Sequence, residues 1–328
     1  MTQHRDVVAV GASAGGVEAL RSVVGGLSPD YPGALLVVLH IARSAPSALP
    51  AILDRSGPLP ASAAADGEPL RPGHVYVAPS DHHLLLLDGH LRLTRGPAEN
   101  GHRPAIDPLF RSVARAAGPR AAGVVLSGSR DDGASGLAAI AAQGGSTIVQ
   151  DPDDALCPWM PRAAIARMTP DHVLPVAKIG ALLSGMADMD LPQSHPHRDR
   201  MLDFEVAIAD PESTVTTDQV AEPAGYGCPS CGGSLFQIES DPVPRFRCRV
   251  GHAWSPESLL DEQTIALEGA LWVALRALEE KSALSRRMAG SWHSGTGKRL
   301  ETVAEDTETA AATIRKLIER LGEPGTPA

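Results

Sequence analysis

Residues 7–20, Val-Val-Ala-Val-Gly-Ala-Ser-Ala-Gly-Gly-Val-Glu-Ala-Leu, constrain the fold most: an unbroken apolar run stops at a turn of small residues, and a helical pattern starts directly after it. An unbroken apolar strand is buried on both faces, and a strand that feeds straight into a helix belongs to a parallel sheet. The pattern recurs. Apolar runs over 35–39, 75–78, 123–126 and 146–149 alternate with small-residue helical patterns to about residue 180. This predicts a doubly wound, mostly parallel α/β sheet with helices on both faces. Between these runs, residues 84–87, Asp88-Gly89 and residues 91–94 predict an antiparallel hairpin, because Asp-Gly suits the left-handed turn that matches strand twist.

In such a frame Ser13 stands out, since it follows the first strand and precedes a helix. A hydroxyl held on a tight turn beside the free N–H groups of a helix N-terminus is placed to act as a nucleophile. The rival reading is a phosphate-binding turn. It lacks Gly-x-Gly-x-x-Gly, and the next strand ends in His40 rather than in the acidic residue a ribose calls for. The C-terminal ends of neighbouring parallel strands converge on one crevice, so His40 can face Ser13. The run 123–126 leads into Ser127-Gly128-Ser129-Arg130-Asp131-Asp132-Gly133, which brings a carboxylate to the same edge. Acyl transfer by a serine needs such a set: a base for its proton, a group that orients the base, and donors for the oxyanion.

Other candidates read more plainly. Asp131 and Asp132 are adjacent and point differently, so only one reaches His40, and the other is expected in solvent or against Arg130. His82 and His83 fit a polar loop. His102 and Arg103 precede a helix, where they either line a cleft or cap and pack the helix, and Asp107 suits a helix start. Cys157, between Leu156 and Pro158-Trp159, reads as a buried structural thiol.

A chain of 328 residues is too long for one average core. The expected organisation is an α/β catalytic domain over 1–189, a Pro/His/Asp/Thr-rich linker over 190–224, a zinc-ribbon-like module over 225–254 and a helical region over 255–322. In the module, Cys228-x2-Cys231 and Cys248-x3-His252 have the spacing of a closed tetrahedral site. Four protein ligands leave no open position, so a structural zinc is expected there and no cofactor for catalysis; chelation is expected to unfold the module and spare the hydrolytic site. Ser255-Pro256 offers a helix start, followed by a stripe of Leu260, Leu267, Leu271, Leu275 and Leu278. Leu300, Val303, Thr307, Ala310, Ile314, Leu317 and Leu321 predict a second long helix, paired with the first as a hairpin through residues 290–297. The net charge of −10 disfavours a nucleic-acid partner. No run of about 20 apolar residues and no leader-like segment is present, which predicts no membrane insertion and a cytoplasmic location.

Over roughly residues 5–185 the sequence resembles the catalytic domain of the chemotaxis protein-glutamate methylesterases. The resemblance rests on Gly11-Ala12-Ser13-Ala14-Gly15-Gly16, on Val38-Leu39-His40, on His102-Arg103-Pro104 with Asp107 and Phe110, on Leu126-Ser127-Gly128 through Asp132-Gly133-Ala134, and on Met160-Pro161-Arg162-Ala163. It implies Ser13 as nucleophile, His40 as base and Asp132 as orienting carboxylate. It further implies an oxyanion hole at the backbone of Ala14 and Ser129, and a cleft near His102, Arg103 and Met160. The implied substrate is a methylated, helical chemoreceptor-type protein, with glutamine deamidation as a second activity. The family commonly has Thr where Ala14 stands and Met-Gly where Ser129-Arg130 stands, changes that leave backbone donors in place. Its usual receiver domain is not expected to act in cis here, which leaves three expectations open: regulation by another chain such as a separate receiver protein, constitutive activity, or control by the C-terminal extension. The alternative reading is a non-catalytic adaptor that binds partners through the cleft and the zinc ribbon.

Overall fold

The computed structural model describes residues 4–191, 197–238, 243–291 and 295–322. The chain divides into two compact units, Met1–Ser258 and Leu259–Ala328.

The first unit is built on seven parallel strands. In chain order its elements begin with β1 (Val7–Ala12), α1 (Gly16–Gly25), β2 (Ala34–Leu39), α2 (Leu49–Asp54), β3 (Ala61–Ala63) and β4 (His74–Val77). A hairpin of β5 (His83–Leu87) and β6 (His90–Thr94) follows, then α3 (Ile106–Ala117), β7 (Ala121–Val125), α4 (Ala134–Ala142), β8 (Ser146–Gln150), α5 (Trp159–Arg167), β9 (His172–Leu174) and α6 (Val176–Ala187). The strand order β3-β4-β2-β1-β7-β8-β9 is doubly wound: from β1 the chain builds outward in one direction through β2 and β4, then returns to β1 and builds the other way from β7. That reversal places a crevice at the C-terminal ends of β2, β1 and β7.

Alternation along the buried strands divides the core in two. Val7, Ala9, Leu36 and Val38 face α3, α4 and α5, and Val8, Val10, Leu35 and Val37 face α1, α2 and α6. The hairpin forms as expected, with Asp88 and Gly89 at φ of 49° and 77° in its turn. Strands β3 and β9 were not anticipated; each has three residues at a sheet edge, half covered, and so carries no apolar run.

Two expectations for the first unit are corrected. Residues 190–224 are not simply a linker: α7 (Arg200–Ile208) buries Leu202, Phe204, Val206 and Ile208, and Asp199 caps it by accepting from the N–H groups of Met201 and Leu202. Nor does the Cys/His segment stand apart. Its antiparallel sheet of β10 (Glu222–Gly227), β11 (Ser234–Ile238), β12 (Arg245–Cys248) and β13 (Ala253–Trp254) belongs to the same compact unit. Arg245 and Arg247 on β12 pair with Glu205 of α7 and with Glu99, which also pairs with Arg111 of α3. All five side chains are buried, so the joint is a dry ionic cluster and not a solvated seam.

Helix α8 (Pro256–Ala289) starts at the expected cap, where the Ser258 N–H donates to Ser255 Oγ at 3.0 Å. In the second unit it pairs with α9 (Gly295–Gly322) through Leu271, Leu275 and Leu278 against Ala311, Ile314 and Ile318. Leu260 and Leu267 of the expected stripe are exposed. The buried register of α9 is Ala304, Thr307, Ala311 and Ile318 rather than Val303, Ala310 and Leu317. Small alanines at the seam let the two helices approach closely. The expected connection over 290–297 lies partly outside the described residues.

Candidate active site

Strand register sets the site. Ala12 of β1 lies opposite Leu39 of β2, and Gly11 lies opposite Val125 of β7, so the residues that follow emerge side by side at one rim. The Ser13 N–H donates to Ser127 O at 2.9 Å and ties the β1 and β7 turns together. Two glycines are needed for that closeness. Gly15 takes φ +73° ahead of α1, and a Cβ on Gly128 would lie 1.9 Å from Met160 Sδ and 2.9 Å from Ser13 Cβ.

The three expected side chains are brought together. Ser13 Oγ lies 3.2 Å from His40 Nδ1, and His40 Nε2 lies 2.7 Å from Asp132 Oδ2. Asp132 Oδ2 also accepts from the Ile106 N–H at 2.7 Å, while Oδ1 accepts from Asn100 Nδ2 and from the Asp107 N–H, each at 3.3 Å. An ionised carboxylate only accepts, so the imidazole proton sits on Nε2 and Nδ1 keeps a lone pair for the Ser13 proton. Burial opposes ionisation of Asp132, but the hydrogen bond and charge of His40 and the Ile106 N–H outweigh it and hold the carboxyl below its usual range. The Ala14 and Ser129 N–H groups make no hydrogen bond within the described residues, and both residues are exposed at this rim. Arg130 holds φ +64°, a conformation that glycine adopts without strain.

The surrounding residues divide between expected and unexpected places. His102 stacks on His40 with ring centroids 3.8 Å apart and planes 9° from parallel. Arg103 fastens loops, donating to Asp81 Oδ1 and to the carbonyls of Arg95 and Gly96. Met160 is wholly buried behind Gly128 and lines no cleft. His83 is buried rather than in a polar loop: its Nε2 donates to Pro97 O and its Nδ1 accepts from the Ala105 N–H. Asp131 is partly buried rather than in solvent or against Arg130, accepting from Ser255 Oγ at 2.8 Å. Asp107 serves a helix start, that of α4, where its Oδ1 accepts from the N–H groups of Gly133 and Gly136. Cys157 is a free, half-buried thiol.

Sequence reasoning missed Asn100, buried at φ +50° and in contact with Asp132. It lies in Glu-Asn-Gly-His, which reads as an ordinary turn.

A second cluster lies in the antiparallel sheet. Cys228, Cys231, Cys248 and His252 offer ligand atoms all within 4.8 Å of one another. Cys231 Sγ and Cys248 Sγ are 3.7 Å apart, and Cys248 Sγ and His252 Nδ1 are 3.5 Å apart. A tetrahedron with metal–sulfur bonds of about 2.3 Å and metal–nitrogen bonds of about 2.0 Å has edges of about 3.8 and about 3.5 Å. The cluster can therefore hold a metal ion. The Trp254 indole N–H points at Cys228 Sγ from 3.5 Å, an outer contact suited to a thiolate.

A doubly wound sheet with a Ser–His–Asp chain at its switch point defines an α/β fold carrying a serine-hydrolase-type constellation. The family model described as CheB methylesterase matches residues 8–183, and the chain belongs to that family. It is similar to a protein-glutamate methylesterase/protein-glutamine glutaminase of Anaeromyxobacter dehalogenans, 43% identical over 174 residues that make up 53% of this chain and 51% of the relative. A relative with the same description from Burkholderia thailandensis is 43% identical over 187 residues, 56% of this chain and 52% of its own. The chain thus spans about half the length of the curated relatives it matches. The crystal structure of the Thermotoga maritima CheB methylesterase catalytic domain superposes with a TM-score of 0.53 at 30% identity, covering 56% of this chain and 99% of that one.

Proposed function

We propose that this chain is a cytoplasmic serine hydrolase that removes methyl groups from glutamate methyl esters on chemoreceptor-type helical proteins. The hydrogen-bonded chain from Ser13 through His40 to Asp132 carries this reading. Ser13 Oγ attacks the ester carbonyl carbon as its proton passes to His40 Nδ1, and Asp132 steadies the imidazolium through Nε2. The oxyanion is met by the N–H groups of Ala14 and Ser129; one such donor contributes about 2.7–4 kcal/mol. Collapse breaks the bond to the methoxy oxygen, which takes the proton from His40 and leaves as methanol. Water then repeats the sequence on the acyl-enzyme, giving a glutamate carboxylate and restoring Ser13. A glutamine amide enters by the same route with ammonia as leaving group, in keeping with the double description of the relatives.

We read the Cys/His cluster as a structural zinc site held by Cys228, Cys231, Cys248 and His252. Zinc there would cross-link a small sheet that has little core of its own, worth an apparent 10–16 kcal/mol, about the range found for isolated zinc modules. No described helix is long and apolar enough to cross a membrane.

The test is methanol release from a receptor peptide carrying a glutamate methyl ester. Ser13→Ala is expected to reduce turnover to background, and a Ser13→Ala chain with undiminished turnover discards the mechanism.

A further inference from the structure

The Cys/His segment reaches the triad through one residue. The Asn100 N–H donates to Ala253 O at 2.8 Å, next in sequence to His252 of the cluster. The Asn100 side chain then spans two partners. Its Oδ1 accepts from the Ser255 N–H at 2.9 Å and from Ser258 Oγ at 2.8 Å, and its Nδ2 donates to Asp132 Oδ1 at 3.3 Å. A backbone N–H can only donate, so the Ser255 contact fixes which end of the amide is oxygen and obliges the NH2 group to face Asp132.

That contact falls where the triad is loosest. Asp132 Oδ2 is gripped by two bonds of 2.7 Å, whereas Oδ1 accepts two longer bonds of 3.3 Å, from Asn100 Nδ2 and the Asp107 N–H. Rotation of the carboxylate about its Cβ–Cγ bond would swing Oδ2 out of line with His40, and Asn100 is the side chain that opposes it. Asn100 depends in turn on the start of α8 and on β13, since among the described residues its amide oxygen accepts from Ser255 and Ser258 alone and its N–H donates to Ala253 O. The adjoining carboxylate is tied to the same place, as Ser255 Oγ donates to Asp131 Oδ1 at 2.8 Å.

We infer that Asn100 is a positioning residue for Asp132, braced by Ser255 and Ser258, and that metal binding at Cys228, Cys231, Cys248 and His252 thereby sets the rate of acyl transfer. The inference rests on the reading of Ser13, His40 and Asp132 given above, and it replaces the expected independence of the two sites. The route is short and continuous. Cys248 N–H donates to His252 O, closing the knuckle; His252 leads into Ala253, which is bonded to Asn100; and Asn100 meets Asp132. A metal that fixes the knuckle fixes β13 and the α8 start with it. Without one, the edge keeps its short strands, the Arg245 and Arg247 ion pairs and hydrogen bonds such as Thr217 Oγ1 to Cys248 O and Ala253 N–H to Ala98 O, and a metal adds the cross-link that joins Cys228 and Cys231 to Cys248 and His252.

The test uses the full chain with two readouts, turnover of the methylated peptide and the rate of acylation by a serine-directed fluorophosphonate. Asn100→Ala and Ser258→Ala are expected to lower kcat and the acylation rate together, by up to about a hundredfold for a misaligned catalytic group, with KM little changed and a single cooperative urea transition retained. Ser258→Thr, which keeps the hydroxyl, is expected to restore the rate. A folded Ser258→Ala chain with wild-type kcat overturns the brace. In the second arm zinc is withdrawn from wild-type protein with a chelator and returned. Acylation is expected to fall in proportion to zinc released and to recover on reloading. A chain that acylates at full rate with no zinc bound overturns the coupling, whether it was stripped or purified so. Should stripping unfold the whole unit, the serine variants decide. Acylation that persists in Ser13→Ala would instead mark failure of the triad reading, which separates the two outcomes.

Discussion

The His102 ring lies flat on the ring of His40, 3.8 Å between centroids and 9° from parallel. His40 is therefore constrained in three ways: in its plane by Asp132 and Ser13, and across its face by a second imidazole. Burial, and next the neighbouring charge of His40, push the His102 pKa down to about 4. His102 is consequently neutral at physiological pH and adds no positive charge beside the imidazolium that forms on His40 during acyl transfer.

Replacing His102 separates stacking from hydrogen bonding. An aromatic pair is worth about 0.5–1.5 kcal/mol, so His102→Ala is expected to lower kcat about two- to tenfold. His102→Phe keeps a neutral ring on His40 and is expected to stay within about twofold of wild type. Steady-state kinetics on the methylated peptide checks both, and equal losses in the two variants would show that the stack itself contributes nothing.

The buried ionic cluster gives a prediction on stability. Burial opposes ionisation of Glu99, but Arg111, Arg247 and Arg245 outweigh it and hold its carboxyl well below the usual range. Glu99→Gln removes the carboxylate that Arg111 and Arg247 bond most closely and leaves them to Glu205 at 3.8 and 3.6 Å, a change expected to cost about 3–5 kcal/mol. Glu18→Gln removes the partner of Arg21 in an exposed pair and is expected to cost about 0–1 kcal/mol. Urea unfolding of the two variants side by side measures the contrast; similar losses would mean the cluster is not a joint.

What could be read in the sequence follows from where each residue sits. Ser13, His40 and Asp132 follow apolar runs so continuous that only central parallel strands accommodate them, and neighbouring central strands end at one rim. Strand β9 and helix α7 lack that signature. Val173 of β9 is exposed, and the helix hides Glu205 in its buried face, a choice that makes sense only beside Arg245 and Arg247. Asn100 was invisible for a similar reason: its partners Ser255 and Ser258 look like a helix cap, and they are one, so nothing in residue type betrays their second contact.

Asp131 should make stability fall with rising pH. Burial, helped by the charges of Asp107, Glu257 and Asp132 and opposed by the Ser255 hydrogen bond, pushes its carboxyl up to about 7. Between the ordinary carboxylate range near pH 4 and about pH 7 the folded chain keeps a proton that the unfolded chain has lost, so stability declines across that window and levels above it. Asp131→Asn still accepts from Ser255 and has no proton to lose. Its advantage over wild type in urea unfolding is expected to be about 2 kcal/mol larger near pH 8 than near pH 5, and an advantage independent of pH would contradict the shift.

The register of α9 is tested by two neighbouring alanines. Ala311 is buried against Leu275 and Ile318, whereas Ala310, which simple three-four spacing had placed in the seam, is exposed. A glutamate at 311 must either carry its charge into that seam or force the helices apart, while a glutamate at 310 reaches water. Ala311→Glu is expected to cost about 3 kcal/mol and to open α8 and α9 to protease, with Ala310→Glu within about 0.5 kcal/mol of wild type. Limited proteolysis with the helical circular dichroism signal reads the difference. The reverse ranking would restore the register of Val303, Ala310 and Leu317, because a shift of one residue turns a different face of the helix toward Leu275.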